Sequence, residues 1–477
     1  MSRDASSDEP AGREPGYSSL ADRDAVLAAL TRLISEAWES FERPRPVEPK
    51  LDPDLEQRLA RPLPDEPENA ALVLADAARI LDESNSPSRP LYLGYVGSTG
   101  LEVGVLAEAL AATYDVNLAV TARAADLVER QAVEWVAEFV GYPCAEGAFT
   151  SGGMISNLTA LLVARERALP GCRHRGFAGR TGAVYCTEES HHSVIRAAEA
   201  AGIGSDLVRR LPIDAKRRMR GADLEAALAA DLTQGVSQIA VIANGGTTLT
   251  GAVDPIAEIA GVCDAHGVWL HVDGAYGLPA AATAEAGPLF EGLERADSVT
   301  LDAHKWLGLQ KSCSVVLVRE AGALEAAFGH EETYIRREAV QNAVERTLEY
   351  SRPLRSLKLW LAFRTHGAAA FRGWISQTLE LARLLADELR SASDFELLAE
   401  PTLSTVCFRH LAQGLDEVEL DAHNYELARA AQADGRIYLA SAVVDGHACL
   451  RVCFVNYRTR REDVELVIGT LRELAVR

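Results

Sequence analysis

Two short apolar runs, each ending in charged side chains, constrain this chain more than any other feature. His271-Val272-Asp273-Gly274-Ala275-Tyr276 carries one run into an acid, and Asp297-Ser298-Val299-Thr300-Leu301-Asp302-Ala303-His304-Lys305-Trp306 carries the other into a His-Lys pair. Such runs read as buried strands that deliver a polar group at their C-terminal ends. Open α/β sheets gather their ligand sites along that edge.

Other segments repeat the pattern. Gly182–Cys186, Gln238–Ala243, Val268–Val272 and Ser314–Val318 read as short buried strands, and Leu101–Tyr114, Ala124–Val140 and Asp254–His266 as helices. Their alternation predicts a mostly parallel sheet with crossover helices, an α/β class. Beyond Arg355 a helical run extends to about Ser391. Strand-like runs follow at Ser404–Phe408, Arg436–Leu439 and Ala448–Val455, with a last helix over Glu462–Leu474. These predict a smaller α+β domain. The expected division is a disordered tail over 1–20, a helical arm over 21–99, a large domain over 100–365 and a small domain over 366–477. The arm opens with a helix that places Val26, Leu27, Leu30, Leu33, Ile34, Trp38 and Phe41 on one face.

With 477 residues, 48% of them hydrophobic and 25% charged, the chain has the profile of a soluble enzyme. The net charge of -21 speaks against non-specific nucleic-acid binding and against an anionic membrane surface. The N-terminus has no apolar signal segment, and no run is long enough to span a bilayer. The eight cysteines include no Cys-x-x-Cys pair and read as buried reduced thiols. A cytoplasmic protein without a metal is the expectation.

Five segments can carry chemistry. Thr150-Ser151-Gly152-Gly153-Met154-Ile155-Ser156-Asn157 opens a helix with two glycines, suited to a phosphate and equally to a simple turn. Glu188-Glu189-Ser190-His191-His192-Ser193 follows a strand. A histidine there can stack on a ring, or Ser190 can cap a helix. Asn244-Gly245-Gly246-Thr247-Thr248-Leu249-Thr250-Gly251-Ala252-Val253-Asp254 is a polar loop that can meet a cofactor, or a turn before a helix capped near Asp254. Lys305 is placed to form an imine and Asp273 to hold a pyridinium proton. With the glycine turn, they suggest pyridoxal 5'-phosphate chemistry.

Taken together, the Gly152-Gly153 turn, His191, Gly246-Thr247-Thr248, the two strand-end segments and Arg355-Ser356-Leu357-Lys358-Leu359-Trp360 resemble the group II pyridoxal-phosphate-dependent amino-acid decarboxylases. This family includes aromatic-L-amino-acid, glutamate and cysteine-sulfinate decarboxylases. The match runs in the family's order from about residue 88 to 360, and more weakly through Leu450-Arg451-Val452-Cys453. The resemblance implies a fold-type I (aspartate aminotransferase-like) homodimer with a seven-stranded-type sheet. It also implies decarboxylation of an L-amino acid to its amine. Lys305 would carry the Schiff base, Asp273 would pair with the pyridinium, and Ala275 and His191 would flank the ring. Gly153, Met154, Thr248 and His304 would surround the phosphate or the ring substituents.

Thr333-Tyr334-Ile335 matches the family's mobile loop, whose tyrosine protonates the carbanion. Tyr92, Tyr95 and Arg451 are the expected substrate contacts. Having both His191 and Tyr334 favours decarboxylation over an aldehyde synthase. A fold-type I lyase or aldolase, or a catalytically idle homologue, would also carry these segments. The chain departs from the family at Ser86–Tyr95, Gly277-Leu278-Pro279 and Leu307–Lys311, which puts an aromatic substrate in doubt. Arg89 and Lys311 suit either an acidic substrate or a solvated surface.

Overall fold

The computed structural model describes residues 20, 22–42, 52–119, 122–330 and 343–476. They fall into two compact units. Those up to Ser86 form one, and those from Pro87 onward form the other.

The first unit contains helices α1 (Arg23–Phe41), α2 (Pro53–Leu59) and α3 (Ala70–Asp82). Each begins at a side chain that accepts from the backbone N–H groups of the first turn: Asp22 from Ala25, Asp52 from Asp54, and Asn69 from Ala71 and Leu72. Leu27, Leu30, Leu72, Val73 and Leu81 are exposed on α1 and α3.

The second unit is built on a seven-stranded sheet. Its strands are β1 (Glu146–Thr150), β2 (Gly182–Thr187), β3 (Val208–Leu211), β4 (Ser237–Asn244), β5 (Trp269–Asp273), β6 (Ser298–Asp302) and β7 (Ser314–Val318), in the order β1-β7-β6-β5-β4-β2-β3. Strands β3, β2, β4, β5 and β6 pair in parallel, and β7 runs antiparallel to both β6 and β1. The chain thus has the expected α/β, fold-type I architecture.

Helices α4 (Glu102–Tyr114), α5 (Ala124–Val140), α6 (Gly153–Ala168), α7 (Cys172–Arg175), α8 (Ser193–Ala200), α9 (Gly221–Thr233), α10 (Ile256–His266) and α11 (Ala323–Phe328) accompany this sheet. Both sheet faces are covered. Phe149, Tyr185, Val241, Leu270, Val272, Val315 and Leu317 enter one core, while Ala148, Val184, Ile242, Trp269, Val316 and Val318 enter the other. Alternate side chains of one strand are buried on opposite faces, so the strands read as continuous apolar runs.

The long helix α12 (Ser356–Ser391) is broken at Gly367, whose φ is 77°. It leads to a four-stranded antiparallel sheet of β8 (Phe395–Ala399), β9 (Thr405–His410), β10 (Ala440–Val444) and β11 (His447–Cys453), in the order β10-β11-β9-β8. Helices α13 (Glu417–Asp434) and α14 (Arg461–Ala475) complete it. Leu385, Leu389, Phe408, Leu450 and Val467 lie in its core.

Three local expectations need correction. Arg436–Leu439 is not a strand: it contributes a single bridge from Tyr438 to Tyr92, and the strand begins at Ala440. Asp254 does not cap α10, because its carboxylate accepts from the backbone of Met219 and from Asn244 instead. Ser190 does not cap α8. Its hydroxyl bonds Thr187, and the His191 ring accepts the Ser193 N–H at 3.1 Å.

Candidate active site

Strands β1, β2, β4, β5 and β6 end at Thr150, Thr187, Asn244, Asp273 and Asp302, all on one edge of the sheet. Register brings these ends together: Asn244 lies opposite Asp273, and Asp273 lies opposite Thr300. Helix α6 starts just beyond β1, so its N-terminus faces the same edge.

Lys305 follows β6 by one turn. Its Nζ lies 3.1 Å from Asp302 Oδ2, with the lysine side chain 25% exposed and the aspartate side chain 2% exposed. The amine thus opens to the site while its counter-ion is buried. His304 also points at Asp302, 3.6 Å from Oδ2, and its Nδ1 lies 3.0 Å from the Cys313 carbonyl oxygen. Desolvation lowers the His304 imidazole below the ordinary histidine range, with Asp302 opposing.

Asp273 is buried, and both of its oxygens accept. Oδ2 takes Asn157 Nδ2 at 2.8 Å, and Oδ1 takes the Ala275 N–H at 3.2 Å. His191 is exposed. Partial desolvation lowers its imidazole, Asp273 opposes this, and Lys305 adds to it. These influences come from Asp273 and Lys305 together, so the ring shares their electrostatic surroundings.

The glycine turn forms a shallow cradle. A Cβ on Gly153 would come 2.9 Å from Asp302 Oδ2 and 3.1 Å from the Ala275 Cβ. Only glycine leaves this space open. Helix N-termini also leave their first N–H groups without intrahelical partners, a natural seat for an anion. Asp302 Oδ1 is buried without a hydrogen-bond partner among the described residues. An open cradle at a helix N-terminus, an accessible amine and a held carboxylate fit a phosphorylated pyridine aldehyde.

Thr248 is exposed, and its backbone is held from another strand. The buried Arg451 of β11 donates to the Thr248 carbonyl, to Leu249 O at 3.1 Å and to Gly94 O at 2.9 Å. Tyr92 stacks on Tyr438 with ring centroids 4.6 Å apart, and Tyr95, 55% exposed, lies 6.3 Å from the same ring. Met154 and Lys311 are exposed, and Arg89 is partly buried. Tyr334 lies outside the described residues.

The sequence reading gave no role to Asn157, Ser298 or Asp302. One signal was available for Asn157. It falls one helical turn after Gly153 and is buried in a helix whose neighbours are mainly apolar.

Residues 53–411 match the family model described as the pyridoxal-dependent decarboxylase conserved domain. The chain belongs to that family. This decarboxylase is 31% identical over 474 residues to an aromatic-L-amino-acid decarboxylase of Bacillus atrophaeus, covering 97% of its own chain and 95% of that relative. It is 33% identical over 289 residues to the cysteine sulfinic acid decarboxylase of Rattus norvegicus, 59% of each chain. Its structure matches the crystal structure of Oryza sativa TDC with PLP and tryptamine with a TM-score of 0.90 and 25% identity, covering 97% and 99% of the two chains. The enzyme is a pyridoxal-phosphate-dependent amino-acid decarboxylase, a carboxy-lyase.

Proposed function

We propose that this decarboxylase acts at the edge where β5, β6 and the start of α6 meet, with Lys305 as the covalent attachment point of the cofactor. The observation that carries this is the convergence of Lys305, Asp273 and the Gly153 cradle on one sheet edge. Asp273 would hold the proton of the pyridine nitrogen. Ala275 and His191 would flank the ring, and Gly153, Met154, Thr248 and His304 would hold the phosphate and ring substituents. When bound, pyridoxal 5'-phosphate supplies the electron sink for the pair released from Cα as carbon dioxide departs.

The protein's own groups do the rest. Lys305 would be the point of attachment, and its Nζ, 3.1 Å from Asp302 Oδ2, would take up and return protons at the reacting amine. Tyr334 delivers a proton to Cα after carbon dioxide has left. Tyr92 and Tyr95 border the substrate side chain. Arg451 acts on the substrate through the Thr248–Leu249 loop and Gly94, whose carbonyls it grips.

We further propose a cytoplasmic homodimer, with the large domain over 100–365 and the small domain over 366–477 as functional parts of each subunit. Three observations support this reading. Among the described residues no helix is long and apolar enough to cross a membrane. All eight cysteines are free. The apolar residues exposed on α1 and α3 suit a covering surface from a second copy.

The test is incubation of the cofactor-loaded protein with a panel of aromatic and acidic L-amino acids under air, with products identified by mass spectrometry. Amine and carbon dioxide in equal amounts from one substrate are expected. Aldehyde with ammonia and peroxide would overturn simple decarboxylation.

A further inference from the structure

Behind Asp273 stands a buried polar chain. Trp269, His271 and Asp273 alternate along β5 and so project from one sheet face. Trp269 Nε1 lies 2.8 Å from Ser298 Oγ, and that oxygen lies 2.8 Å from His271 Nδ1. His271 Nε2 lies 3.1 Å from Asn157 Oδ1, and Asn157 Nδ2 lies 2.8 Å from Asp273 Oδ2. All five residues are buried.

The two ends fix every proton between them. An indole N–H can only donate, and a carboxylate oxygen can only accept. Asn157 must therefore turn its amide nitrogen to Asp273. Its second N–H reaches Ser193 Oγ at 3.2 Å, which fills the nitrogen and leaves Oδ1 as the acceptor. His271 must then carry its proton on Nε2, where Thr300 Oγ1 offers a second, longer contact at 3.4 Å. Burial pushes this imidazole down to about 4, so it is neutral at pH 7 and its Nδ1 accepts. Ser298 takes the indole proton and passes its own hydroxyl proton to His271. Every donor in the chain points toward Asp273.

We infer that Trp269, Ser298, His271 and Asn157 form a one-directional donor relay that positions Asp273 and fixes its acceptor role toward the cofactor's pyridine nitrogen. Aligned hydrogen bonds polarise one another, and in a buried site their dipoles act without water to screen them. These are positioning residues, since none but Asp273 is placed to touch the ring. The inference rests on the reading that Asp273 meets that nitrogen.

The test uses holoenzyme loaded with pyridoxal 5'-phosphate carrying nitrogen-15 in the ring. The nitrogen-15 chemical shift reads ring protonation directly, and titration of the apoenzyme gives cofactor affinity. The wild type is expected to show a protonated ring. Asp273→Asn should lose that signal. Asn157→Leu, His271→Phe and Ser298→Ala should move it in that decreasing order. For Asn157→Leu the affinity should fall about 10- to 100-fold, the range seen when hydrogen-bond partners behind a metal ligand are removed. Ser298→Thr, which restores the hydroxyl, should recover it.

Ser298→Ala removes only one oxygen, so it carries the test if a larger replacement prevents folding. If Asp273→Asn moves the signal while all three relay variants keep the wild-type shift and affinity, the relay is refuted and the role of Asp273 stands. If Asp273→Asn itself changes nothing, the reading of Asp273 fails and the relay falls with it.

Discussion

Lys305 Nζ lies 3.1 Å from Asp302 Oδ2, three residues earlier in the chain, and the other oxygen of that carboxylate has no partner among the described residues. The lysine leaves the strand end already turned toward the glycine cradle. Lys305→Ala should bind the cofactor without a covalent link and fall to background turnover. Borohydride reduction followed by mass spectrometry of the Lys305 peptide checks the first point. A reduced adduct on another lysine in the wild type would refute the assignment.

Gly153→Ala should fold normally and bind the cofactor poorly. The added Cβ would fall 2.9 Å from Asp302 Oδ2 and 3.1 Å from the Ala275 Cβ, filling the cradle and pushing the carboxylate aside. Cofactor affinity is expected to drop at least about tenfold, or 1.4 kcal/mol. Fluorescence titration of the apoenzyme measures it, and an unchanged dissociation constant would move the phosphate elsewhere.

Tyr334→Phe should lower amine formation by about 10²- to 10⁴-fold, the usual contribution of a positioned proton donor. Lys305 attachment should remain intact. Amine yield and aldehyde yield are compared under air, and equal amine output in the two enzymes would remove Tyr334 from the chemistry.

The acid sensitivity of the fold should trace partly to His271. Its folded value is near 4 against 6.5 for the free side chain. Between these values the unfolded chain takes up a proton that the folded chain refuses. Stability from this group is therefore present above 6.5 and is lost as the pH falls toward 4. His271→Gln should flatten the pH dependence of unfolding in that window by up to about one proton per molecule. Urea titrations at stepped pH would give the slope, and identical slopes would exclude His271 as the source.

Tyr276→Phe should destabilise the second unit by about 1–3 kcal/mol, because a buried donor loses its acceptor. The phenol bonds Ser404 Oγ at 2.6 Å and accepts the Ser404 N–H at 3.1 Å, tying the β5 loop to the start of β9. Thermal unfolding of the two proteins is the comparison, and a melting temperature unchanged by the substitution would show that this tie carries no weight.

The strands flanking the site were legible because burial on both faces makes their sequences continuously apolar. The strands at the margins were not. Val208-Arg209-Arg210-Leu211 pairs on one side only and keeps two arginines, so it lacks a buried strand's signature. Glu146–Thr150 contains a glycine whose missing side chain admits Val133 and the Val316 carbonyl, a packing need that composition does not reveal. Arg436–Leu439 has the apolar content of a strand. However, its backbone is spent on Leu91 and Leu93 at a single bridge rather than along a ladder.

At the site, the placement of Asp273 and Lys305 along one sheet edge was legible, since Asp273 closes β5 and Lys305 follows β6 by one turn. The hydrogen bonds of Arg451 were not. A basic side chain among apolar neighbours suggests an anion, but this one meets three backbone carbonyls contributed by segments far away in sequence. The donor chain behind Asp273 was equally hidden. It joins α6, β5 and β6, and only the alternation of Trp269, His271 and Asp273 on one strand hinted at it.

The reversal of β7 has a consequence for the order in which this enzyme is made. The turn at Gly152 hangs from β1, and Lys305 hangs from β6, yet these two strands do not pair with each other. Both pair with β7, which is synthesised after either of them. Until Val318 has been made, the sheet does not connect the Gly152 turn to the strand before Lys305, although α6 already packs on β4, β5 and β6. The pairing that links these two strand ends is thus the last of the sheet to become possible, after every parallel strand has been made.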